Sequence, residues 1–268
     1  MNTFISLLTP HGITNRLGGV SGGPYATMNT SFYGTDRIED VFENIKRALV
    51  AINADAKIII ATQQVHSKKV LVVDASFDLT VLKPIDVAGT ALDDYQLYVA
   101  EQTDGIVTDR KDVVLMTFYA DCVPLLGIDA EKGVIMNVHS GWRGTAAAIS
   151  HVAVDEMLTL GATIHGIKLG IGQCAGVCCY EVDQPVIDAF EGLFKTDEIS
   201  TFAFAKDNGR YMLDLKEANV QSLMKMGFSR SQIEVNPDCT ICDEVHYHSH
   251  RRTGYPRGSM SAFIQLKG

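Results

Sequence analysis

Apolar residues in this chain fall into two rhythms. Short uninterrupted runs rich in β-branched residues occur at 58–61 (IIIA), 70–73 (VLVV), 105–108 (GIVT), 113–119 (VVLMTFY), 134–138 (VIMNV) and 167–171 (IKLGI). Their length and composition predict buried strands. Val41, Ile45, Ala48, Leu49 and Ile52 recur at helical spacing, which predicts an amphipathic helix over 37–52. Asp36 and Glu39 are expected to cap it as an N-cap and reciprocal acid. The same rhythm predicts helices over 145–160, 185–195 and 214–226. Gly161 and Gly227 close the first and the last of these as left-handed caps. Further strands are expected at 245–250 and 262–266. Residues 12–34 are rich in Gly, Ser, Asn and Thr and read as loops. Residues 74–100 are weakly patterned and are expected to be irregular. Strands and helices mix without strict βαβ alternation, so the pattern predicts an α+β or mixed α/β fold.

Length and composition narrow this picture. The chain has 268 residues, 46% of them hydrophobic, enough for one large domain or two intimately packed halves. Its formal net charge of −9 argues against nucleic-acid binding, which runs on counterions released around Lys and Arg. The first residues have no basic segment before an apolar core, and no apolar run approaches a membrane span. A soluble, cytoplasmic chain is expected. Six cysteines are too few for a disulfide scaffold at this length and read as thiols or ligands.

Three of the apolar runs lead into soft metal ligands: IIIATQQVH ends at His66, VVLMTFYADC at Cys122 and VIMNVH at His139. Two imidazoles and a thiolate suit zinc and leave a fourth vertex free, the mark of a catalytic site. A turn around residues 129–133 would set Cys122 and His139 at neighbouring strand ends. Asp121, beside Cys122, is the expected orienting carboxylate. The competing reading makes Cys122 a small core residue and both histidines ordinary hydrogen-bonding groups. After His139, Ser140-Gly141-Trp142-Arg143-Gly144-Thr145 runs from strand to helix. Its glycines permit a tight turn, the helix start at Thr145 offers N–H groups, and Arg143 offers a fork donor for phosphate. Gln64 falls on the strand face of His66 and is a candidate contact for a base or a metal-bound water.

Other clusters carry weaker signals. Cys239 and Cys242 form a CxxC followed by His246, His248 and His250; in a strand the three imidazoles would share one face, so a second zinc or a copper site is conceivable. Cys174, Cys178 and Cys179 have no assignable base and read as structural.

The motifs GGVSGGPYATMNTS (18–31), TQQVHS (62–67), TDGIVTD (103–109), ADCVPLL (120–126), VHSGWRGT (138–145), IGQCAGVCCYEV (171–182) and CTIC (239–242) occur in one order along almost the whole chain. In that order and spacing the chain resembles the YfiH/YlmD family, the laccase-domain or polyphenol-oxidase-like proteins. The resemblance implies one catalytic domain over 1–268, with packed mixed sheets and outer helices. It implies a catalytic Zn2+ on His66, Cys122 and His139. It implies phosphorolysis of adenosine, inosine, guanosine and methylthioadenosine, and deamination of adenosine, with purine nucleosides and phosphate as partners. Arg251 and Arg252 carry over as substrate-binding residues beside Arg143, with Arg16 and Asn29 of the N-terminal loop as further candidates. The loop TGYPRGSMS (253–261) departs from the family pattern, and the arginine expected there is either Arg257, displaced, or absent. A copper-dependent phenol oxidase and a non-catalytic partner of cell-wall or division machinery are the alternative functions. A homodimer is one assembly compatible with this reading.

Overall fold

The computed structural model describes residues 1–267. Its strands are β1 (His11–Ile13), β2 (Ile58–Thr62), β3 (Val70–Val73), β4 (Lys83–Ile85), β5 (Gln96–Ala100), β6 (Gly105–Thr108), β7 (Val113–Tyr119), β8 (Val123–Asp129), β9 (Val134–Ser140), β10 (Ile167–Ile171), β11 (Glu181–Val182), β12 (Ala203–Ala205), β13 (Tyr211–Leu213), β14 (Ile233–Val235) and β15 (Met260–Gln265). Its helices are α1 (Ile38–Ala51), α2 (Trp142–Ala146), α3 (Ile149–Thr159), α4 (Gln184–Asp188), α5 (Thr196–Ile199), α6 (Leu215–Lys225) and α7 (His250–Thr253). One mixed sheet has the order β1-β15-β7-β2-β5-β4, a second β14-β10-β8-β9-β6-β3, and a small third β11-β13-β12.

The two large sheets face each other, and helices cover their outer faces. Alternation along each strand explains the layering. On β7, Val113 and Leu115 enter the core between the sheets, while Val114 and Met116 pack under α1 with Phe42 and Ile45. On β9, Ile135 points between the sheets, while Val134, Met136 and Val138 pack against Val154 and Met157 of α3. Strands buried on both faces read as continuous apolar runs, and for that reason they stand out in the sequence. Asn137 is the polar exception within β9. Its amide donates to the carbonyls of Leu115 (3.1 Å) and Ala262 (2.9 Å) across the sheet interface, and its oxygen accepts from Thr117. These bonds offset a desolvation cost of about 1–3 kcal/mol.

The expectation of packed mixed sheets with outer helices agrees with this architecture. Several local expectations need correction. The helix expected over 145–160 is two helices, α2 and α3, broken at Ala148 in the left-handed region (φ 59°). Asp36 does not cap α1; its carboxylate instead accepts from Ser21 and Asn29. Residues 74–100 are not all irregular: β5 pairs in parallel with β2, and β4 pairs with β5. The hairpin expected around the turn at 129–133 is present as β8 and β9, and β8 pairs on its other edge with β10. Residues 245–250 form no strand. Tyr247, His248 and Ser249 are buried, and Ser249 caps the short helix α7 by accepting from the Arg252 N–H.

The sheet topology converges on one edge. β2 and β7 run parallel, so both lead outward to the same end. β8 and β9 are antiparallel, with Val123 opposite Ser140 and Pro124 opposite His139. The start of β8 therefore lies beside the end of β9.

Candidate metal centre

His66 follows β2, Cys122 sits in the short link from β7 to β8, and His139 lies near the end of β9. One ligand atom from each lies within 4.8 Å of the others. The imidazole rings of His66 and His139 meet edge to face, with centroids 4.9 Å apart. Two backbone positions make this possible. His66 (φ 58°) and Asp121 (φ 91°) both adopt left-handed conformations that L-residues rarely take. Such conformations persist only where the surroundings over-determine them.

At His66 the determinant is Asp104, a residue the sequence reading did not single out. Asp104 is fully buried. One of its oxygens accepts from the backbone N–H of His66 (3.0 Å) and faces His139 Nδ1 (2.9 Å). The other accepts from the N–H groups of Val65 (3.2 Å) and Ser67 (2.8 Å) and from the Ser67 hydroxyl (2.8 Å). One carboxylate thus shapes the His66 turn and orients His139, leaving Nε2 of His139 for a metal. The available signal was TDG within TDGIVTD, an acid poised at the start of a buried strand.

Asp121, the expected orienting residue, has a different task. Its carboxylate accepts from Thr240 Oγ1 (2.7 Å), Ser249 Oγ (3.0 Å) and the Arg251 N–H (2.6 Å). It anchors the segment leading into α7 and is not engaged with a histidine.

The ionisation of the three candidate ligands is coupled. Burial pushes the Cys122 thiol up, but the neighbouring His139 and His66 imidazoles outweigh it and lower its pKa to about 6. Burial pushes His139 down, but Cys122 and Asp104 outweigh it and raise it to about 9. Burial likewise opposes ionisation of Asp104, yet its bonds to His139 and Ser67 hold it at about 2. A thiolate facing an imidazolium is a pair whose shared proton a divalent cation can replace.

The three ligands form the floor of a cleft of about 380 Å³. Tyr33, Phe118, Tyr119 and Tyr255 give it aromatic walls; Ser31, Gln63, Ser259, His250 and Arg257 give it polar groups. Among the described residues lining it, Arg257 is the only Arg or Lys. Arg257 donates through Nη1 to the Gly258 carbonyl (2.9 Å) and Ser259 Oγ (2.7 Å), and its Nε lies 3.4 Å from His250 Nδ1. Among the described residues no carboxylate pairs with it, and burial lowers its pKa, so an anion is its natural complement.

The other arginines expected at the site are engaged elsewhere. Arg143 is exposed and stacks on the Trp142 ring, 4.2 Å from its centroid. Arg16 donates to the carbonyls of Ala26 and Glu244. Arg251 donates to the Glu181 carbonyl and lies over the Tyr180 ring. Arg252 donates to the carbonyls of Thr240, Ile241 and Tyr247. Asn29 is buried, bonding Asp36 and the Ser259 N–H. Gln64 does line the cleft, but its amide is bound at both ends to the Phe118 backbone (2.7 Å each). It therefore extends the β2–β7 pairing. His246, His248 and His250 do not share a face. His246 pairs with Asp243, His248 is buried against Gly258, and His250 opens on the cleft. Cys239 and Cys242 gather with Cys178 and Cys179, and no histidine joins them.

Gly141 matters for closeness, not for turning. Its φ of −69° is open to any residue, but a Cβ there would sit 2.9 Å from His66 Nδ1 and 3.1 Å from Cys122 Sγ. Gly141→Ala is therefore expected to spread the ligands and weaken metal binding about tenfold or more, the scale of a misplaced ligand. Metal content after gel filtration at limiting zinc measures this. Undiminished occupancy would mean that Gly141 is not a spacer of this centre.

The donor set fits zinc: two nitrogens and one sulfur at the cleft, with a carboxylate bonded to one of the imidazoles. A blue-copper centre shares two His and one Cys and adds a weak axial ligand, most often a methionine; no methionine lines this cleft, although Gln63 and Gln64 do. Among the described residues, this is the only candidate metal group containing histidine. Multicopper chemistry would need several such groups.

Fold and site together define a helix-covered double-sheet protein with a candidate His–Cys–His metal centre in its cleft. The chain belongs to the family described as multi-copper polyphenol oxidoreductase laccase, whose model matches residues 10–267. It is 32% identical over 258 residues to the purine nucleoside phosphorylase YlmD of Geobacillus stearothermophilus, covering 94% of this chain and 88% of that protein. It is 29% identical to adenosine deaminase RL5 from an unknown prokaryotic organism, covering 91% of this chain and 88% of RL5. The crystal structure of the Bacillus licheniformis hypothetical protein YfiH superposes with a TM-score of 0.83 at 31% identity, covering 96% of this chain and 92% of that one. No described helix is long and apolar enough to cross a membrane.

Proposed function

We propose that this chain is a zinc-dependent purine nucleoside phosphorylase that also deaminates adenosine. The observation that carries the proposal is the cleft itself. An open two-histidine, one-cysteine floor lies under aromatic walls, with one carboxylate-free arginine at its side. The names of the relatives supply the substrate class.

His66, Cys122 and His139 would hold the zinc, which supplies Lewis acidity at its open vertex when bound. Tyr33 and Phe118 meet edge to face at 5.4 Å and, with Tyr255 also lining the cleft, offer aromatic surface for a flat purine. Arg257 binds phosphate, and its Nη2 donates to no protein atom among the described residues. His250 Nδ1 accepts from Arg257, which leaves Nε2–H as a donor toward the cleft. In phosphorolysis the sugar gains positive charge as the base leaves. A phosphate held by Arg257 places negative charge beside it. The hydroxyls of Ser31 and Ser259 can donate to sugar or base.

The test is to assay inosine and adenosine with and without phosphate. Hypoxanthine plus ribose 1-phosphate is expected from inosine only when phosphate is present; adenosine should also yield inosine and ammonia. Arg257→Ala is expected to raise the KM for phosphate about tenfold to a hundredfold, the scale of losing a hydrogen bond to a charged group. It should leave deamination much less affected. Arg143→Ala should change neither reaction by more than about twofold, as for an exposed side chain. Turnover of inosine independent of phosphate would overturn the phosphorylase assignment.

A further inference from the structure

Four cysteines that the cleft does not use meet elsewhere. Cys178 and Cys179 lie between β10 and β11; Cys239 and Cys242 lie between β14 and α7. Their four sulfurs are all within 4.8 Å of one another. Cys242 Sγ is 2.9 Å from Cys179 Sγ and 3.2 Å from Cys178 Sγ. A tetrahedral zinc with Zn–S bonds of about 2.3 Å holds its sulfurs about 3.8 Å apart, so the cluster reaches that geometry through sub-ångström to ångström shifts.

The backbone around the cluster is built for thiolates. The Gly176 N–H points at Cys239 Sγ (3.2 Å), and burial of this thiol is outweighed by nearby backbone N–H groups, which lower its pKa. Such donors stabilise a thiolate and fix its direction. Gly176 is required for the approach. A Cβ there would lie 2.9 Å from Cys239 Cβ, 3.2 Å from its sulfur and 3.3 Å from Cys178 Sγ. The loops are already joined through backbone: residues 174 and 239 pair as an isolated parallel β-bridge with both thiols free, and the Thr240 N–H donates to the Cys174 carbonyl (2.9 Å).

We propose that Cys178, Cys179, Cys239 and Cys242 form a second, closed zinc site with four thiolate ligands, structural in role and separate from the centre in the cleft. An all-sulfur donor set selects a soft ion, and with four protein ligands no vertex remains for substrate. Binding releases the thiol protons as the Zn–S bonds form, with no change of oxidation state. The ion would tie the loop after β10 to the segment entering α7. Thr240, inside the CxxC, donates to Asp121 beside Cys122, and its carbonyl holds Arg252. The staple would thereby steady the stretch that carries His250 and Arg257 into the cleft.

The experiment uses the full chain, purified under a thiol reductant, with metal counted by plasma mass spectrometry. Wild type is expected to hold two zinc ions. Cys122→Ala is expected to keep one, and so is the double variant Cys239→Ser with Cys242→Ser. The double variant could fail to fold, so the deciding measurement is cobalt loaded into the Cys122→Ala chain. Intense sulfur-to-cobalt charge-transfer bands with the red d–d bands of a tetrahedral thiolate site are expected. Because it is read in that background, its outcome is independent of whether the cleft binds metal. A featureless cobalt spectrum, an iron–sulfur chromophore in the purified chain, or a Cys179–Cys242 disulfide that survives the reductant would each overturn the proposal.

Discussion

Replacing Cys122 with Ala is expected to reduce phosphorolysis of inosine by about a thousandfold or more while leaving the chain folded. The thiolate is the one anionic ligand in the candidate centre. Without it, two imidazoles remain, and an ion of charge two loses both its bond to sulfur and its neutralising charge. Lewis-acid stabilisation is worth several kcal/mol, and about 1.4 kcal/mol corresponds to each factor of ten in rate. Stability should change little in comparison. Cys122 is only partly buried and lies in a link, so its truncation belongs with the ordinary substitutions that cost about 1 kcal/mol. Turnover, zinc content and melting temperature, measured on one preparation, separate the effects. A folded variant with undiminished turnover would end the zinc assignment. Full zinc loss together with unfolding would point to a structural metal at this position.

The second large effect is expected at Asp104. Asp104→Asn preserves size but not bonding. The carboxylate accepts from three successive backbone N–H groups, from the Ser67 hydroxyl and from His139. An amide can accept at only one end. Whichever way it turns, its NH2 faces donors, either on the Val65–Ser67 side or on the His66–His139 side. Each frustrated, buried donor costs about 1–3 kcal/mol. The loss should be about 2–4 kcal/mol of stability, with a further weakening of zinc binding by about 10–100-fold through the disoriented histidines. Denaturant unfolding of metal-free chain measures the first; a competition titration with a chelator measures the second. Unchanged zinc affinity would mean that Asp104 serves only the fold.

The contrast between Asp104 and Asp121 explains how far the site could be read in advance. Both acids lie next to the centre and both follow family-like motifs. Asp121 adjoins a ligand in sequence, and Asp104 does not adjoin one at all. Yet Asp104 reaches His139 because β6 and β9 pair with Gly105 opposite Val138. Asp121 reaches Thr240 and Ser249, far along the chain. Proximity in sequence was the only guide available, and it favoured the wrong carboxylate. The arginines follow the same logic. Arg16 and Arg251 meet the distant carbonyls of Glu244 and Glu181 and Arg252 those of the nearby 240–247 stretch, whereas Arg257, in the segment that departs from the family pattern, lines the cleft. A guanidinium is equally suited to carbonyls and to phosphate, so its type alone does not assign it.

The buried strands, the helices α1 and α6, and the identities of the soft ligands were set by local pattern. An apolar run or a helical spacing must bury its face whatever it packs against, and a thiol or imidazole carries its chemistry wherever it lies. The pairing of sheets and the packing of their loops decided the rest: that 96–100 is a strand, that Asp104 orients, that Arg257 lines the cleft, and that four thiols gather away from the histidines. Several of those outcomes depend on partners tens of residues or a few strands away, as between Asp104 and His139 or among the four thiols, and such partners exist only once the chain has folded.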